Sequence, residues 1–182
     1  MFVGDYVDRG PENLRTCRIV MAMQEASSGL ALLGNHDFNA ICLNTPNPSK
    51  PGTFLRPHTP KNLNQSAATR AEMERDPEQA LLVLEWLRRL PLWLELHGLR
   101  IVHAAWSRTA MTALRPYLDE GGALSDEGLV RAARKGDPVQ HDREKLLNGL
   151  ETELPDGMRF RDKYVTSGQR SGSLGGGRAM LH

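Results

Sequence analysis

The 182-residue chain has little of several things, and each shortage removes a class of function. Its net charge is only +1, so no broad basic face exists to grip a nucleic-acid backbone, and no nucleic-acid partner is expected. It has two cysteines, Cys17 and Cys42, and neither lies in a C-x-x-C pair. A disulfide framework is therefore not expected, and the reducing cytoplasm is the simplest compartment. No apolar run approaches membrane-spanning length, so no membrane association is expected. Asp5, Asp8 and Arg9 stand where a signal peptide would need an apolar stretch. There are no internal repeats. What remains, 40% hydrophobic and 25% charged residues, is an ordinary globular composition with enough chain for one core.

The hydrophobic pattern predicts alternating strands and helices. Met1–Val3 reads as the tail of a buried strand, and Gly10-Pro11 as the opening of a helix that carries Leu14, Cys17, Ile19, Val20, Met21 and Met23 and ends at Gly29. Leu30–Leu33 reads as a second buried strand and Phe38–Leu43 as a short helix. From Thr45 to Gln65, five prolines argue against a helix or central strand and predict a long surface loop or lid. Helices are expected at Ala67–Arg75 and Glu78–Leu90. Leu92–Leu96 and Leu99–Val102 read as a β-hairpin turning at His97-Gly98. Two further helices are expected at Asp126–Lys135 and Val139–Leu150. From Val165 to His182 the glycine content predicts a disordered tail. The fold class is α/β, a type in which ligands bind beyond the C-terminal ends of strands.

Three polar clusters fall at such ends. Gly4-Asp5-Tyr6-Val7-Asp8-Arg9-Gly10 puts two carboxylates and a guanidinium at a strand-to-helix turn. A carboxylate there can hold a cation, and an arginine can grip a phosphate through two parallel hydrogen bonds. Gly34-Asn35-His36-Asp37 adds a neutral oxygen ligand and an imidazole. Val102-His103-Ala104-Ala105 adds a second imidazole. Taken singly, each has an ordinary reading: a surface turn with an ion pair, a tight turn, a core histidine.

In this order and these contexts, the three clusters resemble the calcineurin-like metallophosphoesterases. The branch is that of the serine/threonine protein phosphatases and the symmetric diadenosine tetraphosphate hydrolases. GNHD followed by Phe38-Asn39-Ala40-Ile41, and the run Leu84–Leu92, are similar to the bacterial dinucleotide hydrolase side. The resemblance spans Met1–Trp106.

It implies a β-sandwich flanked by helices, with residues 1–164 forming one metallophosphoesterase domain ahead of the tail at 165–182. It implies a cofactor of two divalent metal ions, manganese with iron or zinc as alternatives. By position, Asp5 would bridge the two ions, and Asn35 and His103 would ligate the second. Arg9, with Asn35, would bind the substrate phosphate. His36 would be the general acid, with Asp8 hydrogen-bonded to it. The implied reaction is hydrolysis of phosphate esters or anhydrides by metal-activated water. The substrate is expected to be a phosphorylated small molecule, with dinucleoside polyphosphates first and a phosphoprotein as the alternative. An inactive phosphatase-like fragment that binds phosphate is the non-enzymatic alternative.

Two departures accompany the resemblance. The family's D-x-H-G motif does not occur ahead of Gly4, and a sandwich truncated by its first strand, with exposed backbone and low stability, is the expectation that follows. No G-H pair follows Val102; His141 and His182 are the remaining candidates, and a solvated helix residue and a chain end are their ordinary readings. Ala105 stands where the family commonly has glycine, and Trp106 is either core or pocket wall.

Overall fold

In a computed structural model the described residues are 1–149, 151–153 and 178–180. The glycine-rich stretch expected from residue 165 onward lies outside them, Arg178–Met180 excepted.

The chain folds as a mixed α/β protein. Helices α1 (Asn13–Glu25), α2 (Asn35–Asn44), α3 (Pro60–Gln65), α4 (Ala67–Arg75) and α5 (Pro77–Arg88) precede a hairpin, β1 (Trp93–Leu96) and β2 (Leu99–Val102). Helices α6 (Arg108–Leu114), α7 (Asp126–Ala133) and α8 (Pro138–Leu147) follow. Two short strands, β3 (Glu151–Glu153) and β4 (Arg178–Met180), pair antiparallel. No helix among the described residues is long and apolar enough to cross a membrane.

The hairpin forms as its pattern predicts. Trp93 pairs with Val102 and Leu96 with Leu99, and Gly98 takes the positive φ of 76° that the two-residue turn demands. Helix α5 is the central element. Ala80, Val83 and Leu87 line its buried side, and α1, α2 and α4 all pack against it. Leu32, Leu92, Leu114, Leu146 and Leu147 complete the core from the other segments.

Three stretches run side by side beneath the site. Phe2 bridges Ala31 in parallel, with Phe2 N–H donating to Leu30 C=O and Leu32 N–H to Phe2 C=O. On its other side Leu33 N–H donates to Pro91 C=O. Met1–Val3 and Leu30–Leu33 are thus paired, but through a single bridge rather than as full strands. Ala31, Leu32 and Leu33 are buried as expected, whereas Val3 is 47% and Leu30 43% exposed. Among the described residues the strands form two antiparallel two-stranded pairs and three isolated bridges.

Several helices differ from the sequence reading. Helix α1 starts at Asn13, not Gly10, because the Glu72 carboxylate accepts the Asn13 and Leu14 N–H groups at 3.0 and 2.9 Å; α1 is capped from another helix. It ends at Glu25, before Gly29. Helix α2 begins at Asn35, so the GNHD cluster is its first turn. The proline-rich stretch ends in a helix after all, because Pro60 sits at the first helical position, where no N–H is needed, and Thr59 caps Asn62 N–H. Helix α6 was not anticipated. Ser107 caps it at Ala110 N–H, and Ala110, Met111 and Leu114 are its buried face.

Candidate functional site

The first cluster is held by its apolar middle. Val7 is fully buried and Tyr6 nearly so. The Tyr6 hydroxyl donates to Leu32 C=O at 2.9 Å, and its ring lies 5.2 Å from that of Trp86. With Tyr6 and Val7 anchored in the core, the flanking carboxylates are turned toward the same side. That geometry requires Asp5 at φ 61° and Asp8 at φ 72°, left-handed conformations that cost side-chain-bearing residues of order 1 kcal/mol or more and persist only where neighbours enforce them.

Asp37 is the enforcing neighbour for Asp5. Its buried carboxylate accepts three backbone N–H groups: Asp5 at 2.7 Å, Tyr6 at 2.9 Å and Gly34 at 2.9 Å. Burial pushes its pKa up to about 6, against the lowering effect of those N–H groups and with a further upward push from the Asp5 charge. The two loops then touch. A Cβ on Gly34 would lie 2.4 Å from Asp5 N and 2.5 Å from Asp5 Oδ1, and one on Gly4 would lie 2.5 Å from Gly34 Cα. Only glycine fits either position.

This contact places Asp5 at the start of α2. Its Oδ1 accepts His36 N–H at 3.0 Å, where the helix dipole favours negative charge. His103, delivered by the end of β2, brings Nε2 to 3.5 Å from the same oxygen. Its Nδ1 meets Val3 C=O, and a carbonyl can only accept. The proton therefore sits on Nδ1, and in the neutral ring Nε2 presents a lone pair to Asp5. An oxygen and a nitrogen lone pair 3.5 Å apart, one of them anionic, form a donor pair that suits one shared cation. Ligands about 2.0–2.2 Å from a common ion sit at about this separation. Among the described residues no three His, Cys, Asp or Glu side chains converge on one point; Asn35, half-buried at the head of α2 next to His36, offers a neutral side-chain oxygen.

His36 is buried and its Nδ1 lies 3.1 Å from Asp8 Oδ2. Asp8 Oδ1 accepts the Thr69 hydroxyl at 2.7 Å. Arg9, next in sequence, is exposed and forms no ion pair among the described residues.

Of the residues singled out from sequence, Asp5, Asp8, His36 and His103 thus come together, with Asn35 and Arg9 adjacent along the chain. The remaining histidines do not join them. His58 Nε2 donates to Leu43 C=O at 2.8 Å, and its ring stacks on Phe54. His97 and His141 are exposed, on the hairpin turn and on α8. His182 lies outside the described residues. Trp106 is partly buried, with the Arg100 guanidinium 5.7 Å from its ring centre. Sequence reasoning missed Asp37, Thr69 and Glu72. For Asp37 a signal existed, since an acid three residues into a helix after Gly34 is placed to accept backbone N–H groups. For Thr69 and Glu72 none did, because their partners lie about sixty residues away.

The family model described as calcineurin-like phosphoesterase matches residues 1–149. Among curated proteins, the chain is 33% identical over 151 residues to a symmetrical bis(5'-nucleosyl)-tetraphosphatase of Pseudomonas fluorescens (strain SBW25), covering 77% of this chain and 46% of that protein. It is 32% identical over 106 residues to the protein of the same name from Vibrio cholerae serotype O1 (strain M66-2), covering 58% and 33%. A third, from Shewanella sp. (strain MR-7), is 35% identical over 104 residues, covering 56% and 32%. The chain spans less than half the length of these relatives. No solved structure matches it.

Proposed function

The chain belongs to the calcineurin-like phosphoesterase family, and from that premise we propose that it is a metal-dependent hydrolase of phosphate esters or anhydrides, with dinucleoside polyphosphates as its substrate class. The observation that carries this reading is the convergence of two chemically distinct pairs on one turn. Asp5 and His103 form a cation-binding pair, and Asp8 and His36 form an oriented imidazole. The substrate class rests on the names of the relatives, which are dinucleoside tetraphosphatases.

Asp5, His103 and Asn35 would hold divalent cation, manganese first and iron or zinc as alternatives, and Asp5 is the residue suited to lie between two ions. Bound divalent cations supply positive charge and an acidified water for hydrolysis at phosphorus. Arg9, exposed next to Asp8, would pair with a substrate phosphate. His36 carries the proton that the leaving oxygen needs. As the bond from phosphorus to that oxygen breaks, the electron pair stays on the oxygen, which takes the proton from His36 Nε2. The oxygen of water becomes the new phosphate oxygen; the proton that water gives up passes to solvent, from which His36 is protonated again. Asp8 accepts from His36 Nδ1 throughout and steadies the imidazolium.

The same reading assigns residues 1–164 to one metallophosphoesterase domain, in a cytoplasmic setting. The parallel stretch Phe2–Ala31–Pro91 and the β1–β2 hairpin would belong to the sheets of the family's sandwich.

The test is manganese-dependent hydrolysis of diadenosine tetraphosphate and of an aryl phosphate, with Asp5→Asn and His36→Asn as controls. Turnover that requires manganese, vanishes in Asp5→Asn, and falls further on the dinucleotide than on the aryl phosphate in His36→Asn is the expected result. A folded protein with no turnover above the Asp5→Asn background would sink the proposal.

A further inference from the structure

We propose that Thr69, on α4, is a positioning residue for His36, acting through Asp8. This rests on the reading of His36 as the proton donor.

Thr69 takes hold of Asp8 twice. Its hydroxyl donates to Asp8 Oδ1 at 2.7 Å and accepts Asp8 N–H at 3.0 Å. A threonine hydroxyl has one proton, and a helical threonine commonly spends it on the carbonyl four residues back. Here it is spent on Asp8. Thr69 is 1% exposed, and the Asp8 and His36 side chains are also nearly closed to solvent, so water does not compete for these groups. The backbone contact secures Asp8 in its left-handed conformation; the side-chain contact occupies Oδ1. With Oδ1 turned to Thr69, Oδ2 is the oxygen that faces His36 Nδ1, 3.1 Å away. One acceptor in one place fixes both the ring plane and the tautomer. It leaves Nε2 as the nitrogen whose proton can be exchanged with substrate.

Helix α4 holds the far end of the same loop as well. Glu72, one turn beyond Thr69 on the same face, accepts Asn13 N–H, Leu14 N–H and Asn13 Nδ2–H at 3.0, 2.9 and 2.6 Å. Met73, next along, packs into the core. The stretch from Asp8 to Leu14 is therefore gripped at both ends by one helix whose own position is set by packing. Thr69 is the grip that bears on the proton donor; Glu72 bears on the helix start.

Thr69→Val keeps the shape and removes the hydroxyl, and Thr69→Ser restores it. The variants are compared in three measurements on the full chain: thermal unfolding midpoint, long-range proton–nitrogen spectra of the 15N-labelled His36 ring, and manganese-dependent hydrolysis of phenyl phosphate and 4-nitrophenyl phosphate. In Thr69→Val, kcat on phenyl phosphate, whose leaving group needs a proton, should fall about tenfold or more. On the nitrophenyl ester it should fall less than about threefold, with KM unchanged on both. The His36 ring should lose its single tautomer, and Thr69→Ser should recover both signals. Equal losses on the two esters, unchanged ring spectra, or a serine variant no better than valine would overturn the proposal. If the parent chain hydrolyses neither ester, the functional reading fails, and the ring spectra alone decide whether Thr69 positions His36. If the valine variant does not fold, Thr69→Cys, a weak donor of similar size, is read in the same way.

Discussion

The Asp37 carboxylate accepts the Asp5 backbone N–H at 2.7 Å, and through this bond the second polar cluster sets the backbone of the first. Two further N–H groups, from Tyr6 and Gly34, end on the same carboxylate. Removing it in Asp37→Ala strands three donors around a cavity. An unpaired buried N–H costs about 1–3 kcal/mol, so a loss of at least about 2 kcal/mol at pH 7 is expected, read as a lower denaturant midpoint. Manganese affinity, measured by calorimetry, should fall with it, because Asp5 loses its enforced conformation.

The same residue predicts a pH dependence. Its folded pKa of about 6 lies above the ordinary carboxylate value of about 3.9. The folded state therefore binds more protons than the unfolded state between about pH 4 and 6, and stability falls as pH rises through that window. The full effect, present above about pH 6, is on the order of 3 kcal/mol. Metal-free unfolding free energy, measured from pH 4 to 7.5, should carry this slope in the parent and lose it in Asp37→Ala. A parent protein whose stability rises across the window would contradict the burial-driven shift.

Gly34→Ala and Gly98→Ala separate close approach from backbone strain. At Gly34 a Cβ meets Asp5 N and Oδ1 inside 2.6 Å, so the loops must part. About 3 kcal/mol of destabilisation is expected, with loss of any manganese-dependent activity. At Gly98 a Cβ meets nothing within 4 Å, and only the positive φ is unfavourable. About 1 kcal/mol is expected there, with activity intact.

On the proposed metal site, His103→Ala should weaken manganese binding by about tenfold or more in calorimetry, because Asp5 would lose its nitrogen partner. The thermal midpoint should move little, since among the described residues the ring's hydrogen bond is to Val3 C=O alone. A large fall in midpoint with unchanged metal affinity would mark His103 as structural.

Cys17 and Cys42 are both buried, and burial pushes each thiol up to about 12. Neither should react with a disulfide reagent at pH 8 in the native protein, whereas both should react at once in denaturant. The native labelling rate then reports opening of the core, and a fast-reacting thiol would mean that α1 or α2 is loosely packed.

Much of this molecule is legible in its sequence because the relevant physics is local. The hairpin follows from alternating apolar residues around His97-Gly98, and α4 and α5 from apolar spacing and from Pro77 at a first helical position. The clusters GDYVDRG, GNHD and VHA each have an ordinary reading alone, and are recognisable because together, in this order, they resemble the motifs of one family. The family model matches residues 1–149, a span that contains all three.

Tertiary structure alone decided how the clusters meet. Helix α1 begins at Asn13 because Glu72, from another helix, satisfies its first N–H groups. Asp5 and Asp8 hold left-handed backbones because Asp37 and Thr69 enforce them. Apart from the place of Asp37 three residues after Gly34, the sequence carries no mark of those partnerships: hydrogen bonds between groups thirty to sixty residues apart leave no periodicity, and they form only once the core around Val83, Leu87 and Leu32 has brought the segments together.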